Sequence, residues 1–523
     1  MCKKKIKICM VSFILLAAIA GSMVPLIDYS YPVNQAIKKL LVLAEYSMTY
    51  DLWKDIPLPI FLQFYIFNVE NPEEVMNGSK PILTQTGPYT YRERRLKVNI
   101  TWNQNGTISY RQIRKYTFDP EMSAGNETDL ITTINPVVAL IAQKMKWMPS
   151  DIKKYFSNLL NVTNEEMFMT RPVKELLWGY DDPALIRIKF LRRFFLDKTF
   201  IGYYTQRNYS DDGVYTIYTG ATDIQLLGLI TRYNGQSALD IWSTPWANMI
   251  NGTDGLWSPP ANPNKQEVSM FNSDICRSER FYYTKKVTIC QNINLRRFEY
   301  KKFDFLNAVH NRDNLGFCVP QTHCLPSGLL NVTNCPRSGN GFSMPVIESL
   351  PHFLYATPKT IDSVVGLNPN EAEHTSYVDI EPWTGFFLQT SKKLQINIFT
   401  EQVSDFKQTD GIKTSYFPIF WLNEKTAINE IHAGMLTESL FTPIEKAEKL
   451  KEKLLMIKYL LMSLSSFLIL LTVAVWVLDS FICHHGKKDN IHHEDPSTPC
   501  LKTSSITYNK VKVLSDGYQR LTT

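Results

Sequence analysis

Two long apolar segments near the ends of the chain constrain its fold more than any other feature. The first covers residues 6–27 and follows a run of lysines, and the second covers residues 454–478 and contains one charged residue, Lys458. An α-helix rises about 1.5 Å per residue, so each segment is long enough to cross roughly 30 Å of hydrocarbon. The sequence therefore predicts two transmembrane helices, with a cleaved signal peptide as the alternative for the first.

The charged flanks of these segments indicate which side of the membrane holds the ends. Lysines precede the first span, and Lys487 and Lys488 follow the second. The positive-inside rule then places residues 1–5 and 479–523 in the cytosol, although the flank before the second span is also lysine-rich. The net charge of +6 resides mostly in these ends, so residues 28–453 are close to neutral and a nucleic-acid partner is not expected.

Sequons and cysteines place residues 28–453 in the secretory pathway. Five of the nine cysteines lie within residues 276–335, which is typical of disulfides, with free buried thiols as the alternative. Because five is an odd number, one of these thiols has no disulfide partner among the five, and the sequence alone does not say which. All of the Asn-x-Ser/Thr sequons fall between the two spans, and we expect glycosylation there. Their asparagines are Asn77, Asn99, Asn105, Asn126, Asn161, Asn208, Asn251 and Asn331.

Three further cysteines lie beside the cytosolic ends of the spans. Cys2, Cys9 and Cys483 occupy positions where reversible palmitoylation is common. The sequence therefore predicts lipidation at these three positions, with unmodified thiols as the alternative.

Residues 28–453 show no repeat and no linker, so we expect one large domain. Most of it alternates β-branched and aromatic residues with period two, bounded by Gly, Pro and Asn turns. Within 136–180 the apolar spacing becomes helical, and Ser150 or Asp151 is expected to cap the second helix. The prediction is a mainly antiparallel β fold with inserted helices. The clearest strand segments are 61–69, 96–102, 108–118, 214–220 and 394–400.

The inserted helices are rich in cations. Lys144, Lys146, Lys153 and Lys154 crowd two short helices with Asp151 as the one acidic residue among them. Such lysines often form only the wet face of an amphipathic helix. The functional interpretation is an exposed cationic platform that attracts anionic lipids, lipoproteins or acidic proteins.

Several motifs together resemble the class B scavenger receptor family. They run in family order from the first apolar segment to the second, so the resemblance covers nearly the whole chain. They are FLQFYIFNVENPEEV, QTGPYTYRE, ELLWGYDDP, MINGTDG, SDICRS, LPHFLYA and GLNPNEAEHTSYVDIEPWTG. The resemblance implies an uncleaved first span and an antiparallel β-barrel ectodomain. It further implies a helical cap at about 136–180 and a hydrophobic tunnel leading towards the bilayer.

The resemblance also implies residue roles, with some departures. It pairs Cys276 with Cys335 and Cys318 with Cys324, and it assigns no disulfide partner to Cys290. Val162 follows Asn161 where a ligand-binding family member has a lysine, so that contact is not carried over. Residues 119–200 contain no histidine, so a pH switch of the lysosomal branch is not carried over either. The resemblance does not assign the chain to one branch of the family.

Catalytic motifs are missing from the sequence. We find no Gly-x-Ser-x-Gly, His-Glu-x-x-His or Gly-Lys-Ser/Thr pattern, so neither enzymatic activity nor a cofactor is expected. His374, Asp379 and Glu381 resemble a set of hard-metal ligands, and Asp181 with Asp182 an acid pair. We interpret all five as side chains that form hydrogen bonds in turns.

The tail carries two tyrosine motifs that suit clathrin adaptors. Tyr518 with Leu521, and Tyr508 with Val511, have the spacing that these adaptors bind in an extended peptide. We therefore expect a plasma-membrane receptor that cycles to endosomes and lysosomes, binds lipids, lipoproteins or anionic ligands, and passes lipid through its tunnel. The alternative is an endosomal or lysosomal protein that sorts a soluble hydrolase or exports lipid. The oligomeric state is left open.

Overall fold

A computed structural model describes most of the chain between the first apolar segment and the end of the second. Cys2, Cys9 and both tyrosine motifs lie outside the described residues, as does the side chain of Cys483. The predictions made for them stay predictions. The described residues are 12–14, 16, 18, 19, 21, 23, 30–189, 199–205, 207–260, 265–335 and 345–486, without the side chains of 30, 479, 480 and 482–486.

The chain separates into two compact units. One contains residues 1–28 and 454–523, and the other contains residues 29–453. Among the described residues, one helical stretch, Glu430–Leu478, is long and apolar enough to cross a membrane; it begins in the second unit and ends in the first. The described positions of the first apolar segment are also helical. Ser465 donates a hydrogen bond to the Ala18 carbonyl oxygen at 2.9 Å, so the two apolar segments contact each other.

The second unit is built on one large antiparallel sheet, as the period-two alternation predicted. Successive side chains along each strand point to opposite faces of the sheet. The strands are β1 (Ile60–Val69), β2 (Leu83–Trp102), β3 (Thr107–Phe118), β8 (Ser210–Tyr218), β9 (Ile230–Tyr233), β10 (Glu267–Asn272), β11 (Arg277–Thr288), β12 (Asn294–Glu299), β13 (Leu329–Asn331), β14 (Val346–Ser349), β15 (Tyr377–Ile380), β16 (Phe387–Thr400) and β17 (Ser415–Ala427).

The sheet curls into a nearly closed barrel. Its order is β10-β11-β12-β15-β16-β17-β1-β2-β3-β8-β9, and β14 adds to β16 with β13 beyond it. Residues 252 and 253 bridge the two ends of this order. The Ile230 amide of β9 donates to Gly252 O, and the Phe271 amide of β10 donates to Thr253 O, each at 2.9 Å. Little open edge therefore remains at this seam.

The helical insert follows β3. Residues 130–134 (β4, Leu130–Ile134) and 168–172 (β5, Phe168–Pro172) pair with each other and enclose two helices. Asn135 caps the first of them, since its Oδ1 accepts from the Val137 amide at 3.0 Å. The second begins at Ser150 after Pro149 without a side-chain cap, so the predicted capping role of Ser150 or Asp151 is wrong. We call residues 136–180 the cap.

The remaining elements are short, apart from the last helix. Two further strands, β6 (Tyr180–Asp181) and β7 (Phe200–Ile201), pair beside the cap. Among the described residues from position 30 onwards, the α-helices in chain order are α1 (Ser30–Leu41), α2 (Met48–Lys54), α3 (Pro72–Met76), α4 (Pro136–Met145), α5 (Ser150–Val162), α6 (Val173–Trp178), α7 (Pro183–Ile188), α8 (Pro358–Ile361), α9 (Glu371–His374), α10 (Glu430–Leu436) and α11 (Thr442–Gly486).

Candidate functional site

Helix α5 has a buried face and an exposed face. Lys153, Phe156, Ser157 and Leu160 are buried, at the spacing that places residues on one side of a helix. Ile152, Tyr155 and Val162 are exposed on another side, and Trp147, in the turn before α5, is 85% exposed. Large apolar side chains gathered on one surface commonly mark a binding site. The sequence analysis assigned a binding role only to lysines in this region. The helical spacing of Ile152 and Tyr155 was a signal from which a shared apolar surface could have been predicted.

The four cap lysines do not form one exposed platform. Lys153 is only 8% exposed, and its Nζ donates to Ser404 Oγ at 3.1 Å. The expectation that Lys153 lies on the surface is wrong, because its position in the helix faces the barrel. Lys146 forms a salt bridge with Glu401 at 2.6 Å.

The other two cap lysines remain accessible. Lys144 is half-buried. Lys154 is exposed and its Nζ lies 3.9 Å from an oxygen of Asp405, at the outer limit of an ion pair. Ion pairs between exposed groups contribute little to stability, so Lys154 is available to another anion. Lys144 and Lys154 are therefore the cap lysines best placed to meet a ligand.

Residues 401–409, the first part of the connection between β16 and β17, hold the cap against the barrel. Glu401 and Ser404 bind the cap lysines described above, and Gln408 accepts a hydrogen bond from Ser157 Oγ at 2.8 Å. The Lys407 amide donates to the same Ser157 oxygen at 3.0 Å. The polar residues on the buried face of α5 thus fix the orientation of the cap.

The end of the barrel nearest the cap is filled with aromatic rings. Phe64 of β1 lies 5.8 Å from Tyr91 of β2 and 5.6 Å from Phe420 of β17, measured between ring centroids. Trp178 of the cap packs edge-on against Tyr91 at 5.0 Å. Tyr204 completes the cluster at 5.2 Å from Phe64. Such edge-to-face contacts make a dense apolar closure below the cap.

The centre of the barrel is charged. Glu424 of β17 accepts from Arg95 at 2.6 Å and from Lys392 at 2.5 Å, and Arg95 also binds Glu93 at 2.7 Å. Burial alone pushes the pKa of Glu424 up, but Arg95 and Lys392 outweigh it and the pKa falls well below its usual range. We call Glu93, Arg95, Lys392 and Glu424 the central ion cluster.

Lys97 lies farther along β2 and is almost fully buried. Its Nζ is 3.7 Å from Asp254 and lies over the rings of Trp53 and Tyr110, at 5.2 and 5.4 Å. Burial lowers the pKa of Lys97, and Asp254 offsets this only in part. Lys97 and Asp254 therefore extend the charged interior of the barrel along β2 from Arg95.

Cavities adjoin one another through this charged centre. A chamber of about 200 Å³ borders a central cavity of about 70 Å³, which is followed by two cavities of about 30 Å³ each. The hydrophobic tunnel stays a prediction, and its middle would be polar rather than apolar. Each adjoining pair shares lining residues: Glu279 and Tyr300, then Arg95 and Glu424, then Leu58 and Phe387.

The cysteines pair as the resemblance implied. Cys276 is bonded to Cys335, which closes a separation of 59 residues, and Cys318 is bonded to Cys324, which closes 6. Among the described cysteines, Cys290 is free. Of the sequon asparagines, Asn251 is half-buried and the other seven are exposed, as glycan attachment requires.

The candidate metal ligands are engaged in other interactions. Asp379 accepts two hydrogen bonds from Arg297, each at 2.7 Å, and Glu381 accepts from the Thr384 amide at 2.7 Å. His374 Nδ1 accepts from the Asn370 amide at 3.0 Å. Within the described part of the chain, no group of three or more His, Cys, Asp or Glu side chains could hold a metal ion.

The aspartate pair also serves in hydrogen bonding. Asp182 caps α7 by accepting from the Leu185 amide at 3.0 Å, and Asp181 accepts from the Thr199 hydroxyl at 2.9 Å. Burial, together with the charge of Glu165, raises the pKa of Asp182 to about 6. The interpretation of Asp181 and Asp182 as polar side chains in turns fits these contacts.

Two buried histidines stack beside the barrel. The rings of His352 and His374 are 4.5 Å apart, and His352 Nε2 lies 2.8 Å from Gln85 Oε1. The Asn368 amide donates to His352 Nδ1 at 3.1 Å, so the proton of the neutral ring is on Nε2. Burial lowers the pKa of both histidines to about 4, assisted by the charge of Lys393 at His374 and by His374 itself at His352.

This pair predicts a loss of stability in acid. Both histidines are neutral in the folded state, whereas in the unfolded state each takes up a proton below a pKa of 6.5. The free energy of unfolding should therefore fall by about 2 kcal/mol for the pair between pH 7 and pH 5. His374→Phe should roughly halve this fall, measured by thermal unfolding at both pH values. His310→Gln, at an exposed histidine, should leave it unchanged, and an equal fall in all three proteins would contradict the assignment.

Comparison with known proteins shows the family of the chain. Lysosome membrane protein 2 of Rattus norvegicus is 37% identical over 415 residues, which is 79% of this chain and 84% of the relative. Scavenger receptor class B member 1 of Sus scrofa is 32% identical over 473 residues, 90% and 89% of the two chains. The same receptor of Mus musculus is 35% identical over 401 residues, 76% of each. The model of the CD36 family matches residues 10–476, and the chain belongs to the CD36 family.

Proposed function

We propose that this class B scavenger receptor captures lipid-bearing or anionic particles on its cap and passes lipid through its barrel. Exposed Trp147, Ile152 and Tyr155, together with Lys144 and Lys154, are the observation that carries the proposal. Aromatic side chains with adjacent cations suit the interface of a lipid particle, where apolar chains and anionic head groups are both presented. The adjoining cavities inside the barrel support the proposed route for a lipid.

The proposal includes two membrane spans, glycosylation of residues 28–453 and a cytosolic tail. The contact between Ser465 and Ala18 supports a hairpin of two helices. The exposed sequon asparagines support glycosylation, and the paired cysteines support an oxidising compartment. The similarity to scavenger receptor class B member 1 is consistent with lipoprotein ligands.

The cap is tested by capture of lipid vesicles. Trp147→Ser with Tyr155→Ser should lower binding of phosphatidylserine vesicles about tenfold, because it removes the apolar contact and leaves the buried face of α5 intact. Lys144→Gln with Lys154→Gln should lower binding chiefly at low ionic strength. Binding is measured on cells that express the full chain, normalised to the surface amount.

Lys174→Gln is the control for the cap experiment, since Lys174 is exposed and lies outside α4 and α5. Lys153 is left unchanged, because a substitution there would disturb the contact with Ser404. Vesicle binding that is the same in the Trp147 and Tyr155 double variant as in the unchanged protein would contradict a binding role for the cap.

The similarity to lysosome membrane protein 2 favours a second candidate, a protein that resides in endosomes or lysosomes and sorts a hydrolase or exports lipid. Uptake of a surface-bound antibody separates the two. Tyr518→Ala should raise the surface amount several-fold if Tyr518 and Leu521 bind clathrin adaptors. Tyr508→Ala reports on the second motif. If both variants are taken up like the unchanged protein, the tail motifs have no sorting role.

A further inference from the structure

The segment of residues 366–374 lies against two buried histidines. Residues 366–373 are exposed or half-buried, whereas His352 and His374 are only 7% and 5% exposed. The Asn368 amide donates to His352 Nδ1 at 3.1 Å, and the Asn370 amide donates to His374 Nδ1 at 3.0 Å. Both imidazoles therefore accept from the backbone of the same short segment, and they supply two of its amides with their hydrogen-bond partners.

Fixed contacts hold the chain on both sides of the 366–374 segment. Before it, the Leu83 amide of β2 donates to Val365 O at 2.9 Å. After it, Lys393 Nζ donates to Thr375 O at 2.8 Å, and β15 follows. The segment can therefore lift away from the histidines while the strands on either side keep their places.

The barrel does not compensate a positive charge on either histidine. Lys393 of β16 is a cation, and its charge disfavours a proton on His374. The two rings stack 4.5 Å apart, so a proton on one ring also disfavours a proton on the other. Among the described residues, neither histidine forms a salt bridge. The other strands that pack against the rings contribute neutral side chains, which are Phe67, Gln85 and Trp421.

The acidic groups beside the pair belong to the 366–374 segment itself. Glu371 and Glu373 are exposed on α9, and Glu371 accepts from the Tyr355 hydroxyl at 2.7 Å. Burial raises the pKa of Tyr355 to about 12, so its hydroxyl stays neutral. Both carboxylates would move with the segment, so they do not fix it to protonated rings.

The backbone at His352 is strained. His352, Phe353 and Tyr355 have φ angles of 54°, 59° and 66°, in the left-handed region that residues other than glycine rarely adopt. Such a conformation persists only where surrounding contacts impose it. The His352 amide donates to Gln395 Oε1 at 2.7 Å, and His352 Nδ1 accepts from the Asn368 amide. Loss of the second contact would remove support from a strained turn.

Acid favours separation of the segment from the two rings. Burial lowers the pKa of both histidines to about 4, whereas the ordinary pKa of a histidine is 6.5. A histidine that regains its ordinary pKa once the segment lifts binds a proton more readily than one in the closed arrangement. The advantage of the released state therefore begins as pH falls below 6.5 and grows down to about pH 4.

We propose that the 366–374 segment is an acid-sensitive latch, which protonation of His352 and His374 releases while the barrel stays folded. A protonated imidazole carries a hydrogen on both ring nitrogens, so each Nδ1 changes from an acceptor into a donor that faces an amide N–H. Release uncovers Trp421, which is 6% exposed in the closed arrangement and packs beside both rings. The latch is separate from the cap and does not rest on the proposed function.

Hydrogen–deuterium exchange of the full chain in lipid nanodiscs, read by mass spectrometry of its peptides, tests the latch. Each exchange rate is divided by the intrinsic amide rate at the same pH, so that only the change in protection is compared. We expect peptides within 366–374 to lose protection about tenfold between pH 7 and pH 5, while peptides of β16 and β17 change less than about twofold.

His352→Asn with His374→Asn should remove this pH dependence. The asparagine Oδ1 lies close to the position of the histidine Nδ1 and accepts from an amide, but it does not titrate. Protection of the 366–374 segment in this double variant should therefore be the same at pH 7 and pH 5. His310→Asn, at an exposed histidine, is the matched control and should keep the loss of about tenfold.

Equal protection of the 366–374 segment at pH 7 and pH 5 in the unchanged protein would overturn the proposal. A loss that spreads equally over β16 and β17 would also overturn it, since that pattern indicates unfolding of the barrel. Should the double variant fail to fold, His374→Asn alone replaces it and should show a clearly smaller loss than the unchanged protein. An undiminished loss in the asparagine variant would show that the histidines do not control the segment.

Discussion

Glu424→Leu is expected to lower the free energy of unfolding by about 3 kcal/mol, the typical cost of breaking a buried ion pair. The substitution removes the carboxylate that Arg95 and Lys392 share, and it leaves Lys392 in the barrel without its carboxylate partner. Arg95 keeps Glu93 at 2.7 Å. Thermal unfolding of the full chain in detergent measures the loss.

The double variant Lys392→Met with Glu424→Leu is the control. It removes both charges of the pair, so its stability should return towards that of the unchanged protein. Because the pKa of Glu424 is depressed in the fold, its contribution is present above the ordinary pKa of 4.5 and is lost only as pH falls through the lower folded value. The difference in the free energy of unfolding between Glu424→Leu and the unchanged protein should therefore be equal at pH 7 and pH 5. A single variant as stable as the double variant would contradict this assignment.

Replacing Cys276 and Cys335 with alanine should lower the free energy of unfolding by about 4 kcal/mol, because the disulfide closes a loop with a sequence separation of 59 residues and restricts the unfolded chain. The same change at Cys318 and Cys324 should cost about 2 kcal/mol, since that loop closes only 6 residues. Thermal unfolding under non-reducing conditions compares the two pairs of substitutions. Cys290→Ala is the control and should have a small effect, as it removes no disulfide. Equal losses for both pairs would show that loop length does not govern their contributions.

Local sequence patterns predicted the strands well where side-chain alternation was uninterrupted. The segment 61–69 became Ile60–Val69, and 108–118 became Thr107–Phe118. The strand predicted at 96–102 instead begins at Leu83. Gly87 and Pro88 suggested a turn there, yet Gly87 continues the strand with a φ of 112°, opposite a register shift at Phe64.

Tertiary pairing could not be read from local patterns. The spacing of Lys153 in α5 fits a solvated face as well as a buried one, and only the loop of residues 401–409 decides between them. Likewise, Lys392 and Glu424 face each other on the consecutive strands β16 and β17, but Arg95 comes from β2, far earlier in the chain, so no local motif marks the central ion cluster. The aromatic surface at Trp147 was visible in the sequence, but its exposure depends on how the cap rests on the barrel.

The loop of residues 401–409 has a mechanical consequence. It binds the cap through Lys146, Lys153 and Ser157. It follows β16 directly and leads through residues 410–414 to β17, and these two strands carry Lys392 and Glu424. We therefore expect a particle that breaks the Lys146–Glu401 ion pair to affect the two strands that carry Lys392 and Glu424 inside the barrel. The surface of the cap and the interior of the barrel are therefore joined through one connection, residues 401–414, between the end of β16 and the start of β17.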